Sequence, residues 1–160
     1  MLVVCALALP VLAFAQKFGT VDTNTVFQLM PETKKAQETL EAAQKKYETE
    51  LKSLNAEFEK KYSELQNISQ DTPDAIKQRR IQEVQDLQQK VEQFQQTASS
   101  DIQRQSQQLM APISQKLTET IQAVGKAGNY TFVFEQATCI YKGADVVDLT
   151  PQVKAKLGLK

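Results

Sequence analysis

Between Pro31 and Pro73 the chain holds no glycine and no proline, and from Pro73 to Gly125 only Pro112 interrupts a second such run. Stretches of this length without a backbone breaker are helices or nothing. At 1.5 Å per residue the first, ending near Ile68, spans roughly 55 Å and the second roughly 80 Å. Ser69-Gln70-Asp71-Thr72-Pro73-Asp74 separates them. It carries helix-start chemistry: a cap at Asp71 or Thr72, then Pro73, then an acid at the positive end of the helix dipole. Met30-Pro31-Glu32 starts the first helix in the same way.

The apolar positions predict that the two helices pair. Ala36, Leu40, Ala43, Tyr47, Leu51, Leu54, Phe58, Tyr62 and Leu65 recur at steps of three and four. Leu40, Leu51 and Tyr62 are equivalent positions of an 11-residue repeat, as are Ala43, Leu54 and Leu65. The second run repeats at the same interval through Val91, Ile102, Ile113 and Val124, with Leu87, Ala98 and Leu109 as a second row. Eleven residues over three turns is about 3.67 per turn, which predicts a nearly straight or weakly right-handed pair. Two helices of one period with a short connection favour an antiparallel hairpin, because long polar helices gain most of their stability from a partner. Pro112 removes one helical hydrogen bond, so a kink is expected between Met110 and Ile113, where arm becomes base.

The remaining segments are short. Lys17–Asp22 reads as a strand, and Asp22, Thr23 or Asn24 then caps a brief helical turn through Val26, Phe27 and Leu29. After Gly128 and Asn129, Tyr130–Phe134 has the aromatic and β-branched content of a strand; Thr138–Tyr141 reads as another, Lys142–Asp145 as a turn, and Val146-Val147 continues the pairing. Asp148-Leu149-Thr150-Pro151 starts a last helix that reaches Leu157. So few strands bury too little to stand alone. Association of several copies, through strands that contain Phe18, Val21, Phe132, Phe134 and Ile140, is the expected remedy.

Composition narrows the function classes. Nineteen basic residues balance nineteen acidic ones, so no global field draws the chain to nucleic acid. The sequence contains no His, the commonest general base and metal ligand, and Gly125-Lys126 lacks the glycine spacing of a phosphate loop. Asp22, Asp145 and Asp148 suit capping and turns. No catalytic site, metal or cofactor is expected. Residues 1–15 form an apolar run that ends in Ala13-Phe14-Ala15, read as an export signal cleaved after Ala15. The mature chain then has Cys139 alone, which reads as a small strand residue rather than half of an internal disulfide.

Taken in order, the export signal, Lys17-Phe18-Gly19-Thr20-Val21-Asp22, Val26-Phe27 before Met30-Pro31-Glu32, Gly128-Asn129-Tyr130-Thr131-Phe132-Val133, and Asp148-Leu149-Thr150 leading to Val153 and Leu157 resemble the Skp/OmpH periplasmic chaperones. The resemblance covers the mature chain. It implies a mainly α fold with a small β base, in which residues 16–30 and 111–160 form a trimerisation body and residues 31–110 an antiparallel coiled-coil arm. It further implies a homotrimer that holds unfolded outer-membrane β-barrel proteins in the periplasm, without ATP, in a cavity between the arms. Tyr47, Phe58, Tyr62 and Phe94 are the candidate client contacts, and each also suits the seam between the helices. A spacer or adaptor role for the same coiled coil in the cell envelope is the alternative reading.

One departure from the family is visible. Residues 17–70 hold 8 basic and 9 acidic side chains, and residues 71–105 hold 5 and 6. Strongly basic arms are absent, so lipid or lipopolysaccharide binding is not carried over, and client capture is expected to depend little on salt.

Overall fold

A computed structural model describes residues 16–160. The expected export signal and its cleavage after Ala15 lie outside these residues. The elements run β1 (Phe18–Val21), α1 (Thr23–Leu29), α2 (Pro31–Gln66), α3 (Asp74–Ala127), β2 (Phe132–Glu135), a one-turn 3₁₀ helix (Gln136–Thr138), β3 (Val147–Asp148) and α4 (Thr150–Lys156). The fold is mainly helical with one small sheet. Two compact units result: residues 16–26 together with Leu117–Lys160, and Phe27–Lys116.

The second unit is the helical arm. Its direction follows from the pairs that join α2 to α3: Glu32 with Lys116, Tyr47 with Asp101, Lys61 with Glu83, and Glu64 with Arg80. As the α2 number rises the α3 number falls, which is an antiparallel hairpin. The seam is the apolar stripe read from the sequence. Ala36 and Leu54 on α2, and Val84, Leu87 and Ile113 on α3, are buried. Leu40, Ala43, Leu51, Leu65, Val91, Ala98, Ile102 and Leu109 are half-buried among exposed charged and amide neighbours. Pro112 lies inside α3 and does not end it. At the connection, Pro73 is not the first helical residue as its position suggested; its carbonyl accepts from the amides of Ile76 and Lys77, which makes it the cap.

The first unit is built on β1, the central strand of a three-stranded sheet of order β2-β1-β3. Both neighbours run parallel to it, with Phe18 opposite Phe132, Thr20 opposite Phe134, and Gly19 opposite Val147. Parallel strands require long crossovers, and here the connection from β1 to β2 contains the whole hairpin. Val26, Leu149 and Val153 are fully buried and form its core with Val21 and Thr20. Gly19 permits a close approach: a Cβ there would lie 2.7 Å from Leu149 Cδ1.

Caps finish the helices of the base. Asp22 accepts from the Thr25 amide at 2.8 Å and from the Thr25 hydroxyl at 2.7 Å, which starts α1. Asn129, at φ 53°, ends α3: the Tyr130 amide donates to the Gly125 carbonyl and the Asn129 amide to that of Lys126. Gly158, at φ 71°, repeats this arrangement after α4, with Leu159 donating to Lys154 and Gly158 to Ala155.

One expected strand does not form. The composition of Thr138–Tyr141 favours β structure containing Ile140, but the chain turns into the 3₁₀ helix directly after β2, and Ile140 stands fully exposed outside any strand. The cause is local. The Ala137 amide donates to the Glu135 carboxylate, the Thr138 hydroxyl to the Glu135 carbonyl, and the Cys139 amide to the Gln136 carbonyl. Short polar side chains here offer the backbone a turn in place of a ladder.

Candidate functional site

Two surfaces stand out, one in each unit. On the arm, the four aromatic residues singled out by the sequence divide into two pairs. Tyr47 and Phe94 meet across the seam with ring centroids 5.9 Å apart and tilted by 58°, an edge-to-face type of contact. Phe58 and Tyr62 stack along α2, also at 5.9 Å, and Tyr62 is 43 % exposed. Tyr47 and Phe94 thus spend their surface on each other. Tyr62 keeps a face toward solvent, as do Ile76 and Ile81 on the distal part of α3.

Beside Tyr47 the seam turns polar. The Tyr47 hydroxyl donates to the Asp101 carboxylate, which also accepts from the Gln105 amide and the Arg104 guanidinium. These bonds, Tyr47 first, then Gln105 and Arg104, hold the Asp101 carboxyl down at about 2, and the carboxylate in turn pushes the Tyr47 phenol up. Sequence reasoning missed this node. The available signal was the spacing of Asp101, Arg104 and Gln105 at i, i+3 and i+4, which places all three on one helix face.

Lys61, Lys77, Arg79 and Arg80, near the end of the arm, are already partnered. Lys61 lies near Glu64 and Glu83, Arg79 is 3.3 Å from Glu83, and Arg80 is 3.1 Å from Glu83 and 3.9 Å from Glu64. The Lys77 ammonium donates to the Gln70 carbonyl at 2.8 Å. Such pairs add little stability at a surface. Their consequence here is electrostatic: the end of the arm presents no block of one sign.

In the base, one face of the sheet is aromatic. Phe18, Phe132 and Phe134 alternate onto the same side, with centroids 5.8 to 6.4 Å apart and rings within 30° of parallel. Phe132 is 57 % and Phe134 45 % exposed. A contiguous apolar cluster of this kind marks an interaction surface more often than isolated exposed residues do. The opposite face carries Gly19, against which Leu149 packs. Val21, also named for its strand, is buried.

The remaining candidates are local. Cys139 is half-buried, and its Sγ lies 3.3 Å from the Glu135 carbonyl. The amide of Thr150 donates to Asp148, and Asp22 caps α1; these bonds lower both carboxyl pKa values, chiefly through the partners Thr150 and Thr25. Among the described residues no group of His, Cys, Asp or Glu has metal-binding geometry, and no helix is long and apolar enough to cross a membrane.

A long antiparallel helical hairpin joined in sequence to a small parallel sheet with an open aromatic face defines a class of protein. The family model described as "Outer membrane protein (OmpH-like)" matches residues 17–157, and the chain belongs to that family. A crystal structure from Caulobacter crescentus CB15, titled as a candidate OmpH-like outer membrane chaperone, superposes with a TM-score of 0.72 at 15 % identity, covering 89 % of this chain and 83 % of that one. The fold is therefore shared with it. No protein of curated function matches.

Proposed function

We propose that the protein is an ATP-independent holdase of the periplasm, which keeps unfolded outer-membrane β-barrel proteins soluble in a cavity between the arms of a homotrimer. What carries the reading is that one chain of this family holds both an exposed phenylalanine cluster, Phe18, Phe132 and Phe134, and a long arm with only scattered exposed apolar groups. The phenylalanine face requires a partner of like character, and further copies of the chain supply it. Barrel clients alternate apolar and polar side chains and aggregate in water. Weak contacts from Tyr62, backed by Phe58, and from Ile76 and Ile81 hold such chains without locking them, whereas Tyr47 and Phe94 serve the seam. No nucleotide is needed, because the work is shielding rather than forced unfolding.

The test dilutes a urea-unfolded outer-membrane barrel into buffer with stoichiometric protein and follows light scattering without ATP. Suppressed aggregation is expected, together with a sedimentation mass near that of a trimer. Unchanged scattering from a protein of confirmed trimeric mass would favour the spacer or adaptor role.

A further inference from the structure

A pocket in the base carries chemistry that client holding does not use. It has a volume of about 500 Å³, within the range of small-ligand sites. Its walls are apolar: Val124 and Ala127 from the end of α3, the Tyr130 ring, and Leu149, which is buried and closes the floor. Gly128 keeps the Tyr130 side open, since a Cβ there would come within 2.3 Å of the ring carbon Cε2.

The charged groups on this pocket have one sign. Lys17 and Lys156 line it together with Gln152, and no carboxylate does. The Lys17 ammonium lies 4.1 Å from the centroid of the Tyr130 ring and donates to the Gly128 carbonyl at 3.1 Å. That bond uses one of its three donors and holds the charge at the pocket wall. Gln152 and Lys156 are four residues apart on α4 and so share a face, which aligns an amide and a second ammonium along the same rim. Two cations above an apolar floor complement one class of small molecule.

We propose that this pocket binds an apolar monocarboxylate, with its alkyl or aryl body against Val124, Tyr130 and Leu149 and its carboxylate between the Lys17 and Lys156 ammonium groups. A body without charge gains only the shallow floor, and a charge without a body gains only an exposed ion pair, which is weak. Both parts are required.

The test titrates the ¹⁵N-labelled mature protein with sodium octanoate below its micelle concentration and follows amide shifts by NMR. Saturable shifts are expected at Gly128, Tyr130, Leu149 and Gln152, with acetate and octyltrimethylammonium producing none there. Lys17→Gln with Lys156→Gln should weaken binding severalfold, the combined worth of two exposed ion pairs. Lys156→Gln alone, on the exposed face of α4, should weaken it without altering the melting temperature. Equal shifts with octyltrimethylammonium, shifts spread along the arm, no saturation, or undiminished affinity in the double variant would each overturn the proposal. None of these readouts depends on client holding, so either reading can fail without the other.

Discussion

The arm and the base solve the problem of burial in opposite ways. In the arm, a narrow repeating apolar stripe is shared by α2 and α3, most of its members are only half-covered, and the pattern is renewed every eleven residues. In the base, a handful of residues are buried completely, among them Val26, Leu149 and Val153, and no repeat produces them. Distributed burial tolerates the loss of any one contact. Concentrated burial does not.

The largest effect should come from the base. Leu149→Ala removes a fully buried side chain beneath the Gly19 backbone and should cost about 3 kcal/mol in urea unfolding, near the middle of the range for such truncations. The same truncation at half-buried Leu51 in the arm should cost about 1 kcal/mol, since less area leaves the interior. Equal losses at the two sites would break the comparison.

A smaller effect tests the helix ends. Gly158→Ala places a Cβ at φ 71° and should cost about 1 kcal/mol by thermal melting, whereas Asn129→Gly, at φ 53°, should be neutral or slightly stabilising. Smaller still is the pH response of the arm. The Asp101 pKa is lowered to about 2 from an ordinary 3.8, so its contribution is fully present above about pH 4 and is lost as pH falls toward 2. Tyr47→Phe removes the first cause of that shift, and acid unfolding should show a shallower loss of helix signal across that window. A slope identical to the parent would mean that the Tyr47–Asp101 bond adds nothing in solution.

Salt should change least. With most of its distal cations paired and its charges balanced, the arm should lose less than about threefold in client affinity between low and high salt, because screening acts on net fields that are absent here. A steep loss in a fluorescence titration would show that local charge, rather than scattered apolar contact, carries capture.

Much of this molecule is legible in its sequence, and the reason is the range of the interactions. Helix starts at Pro31 and Thr150 are written within four or five residues of themselves, and the seam from Ala36 to Leu65 is a period that any one helix displays. The antiparallel sense followed from a short connection. The candidate contacts were less legible. Tyr47 and Tyr62 both belong to the apolar stripe of α2, yet one is bonded to Asp101 and covered by Phe94 while the other faces solvent, and only the partner helix decides which.

What the sequence determined by itself is the arm: its two helices, their pairing and the neutrality of their surface, all consequences of local propensity and periodic burial. Only the tertiary structure decided how the short elements of the base are joined. The parallel register of Phe18 with Phe132 joins residues more than a hundred positions apart, and the turn that leaves Ile140 outside the sheet depends on three bonds around Glu135 and Gln136. Parallel pairing has no short-range signature, because its partners meet only after a long connection has folded back.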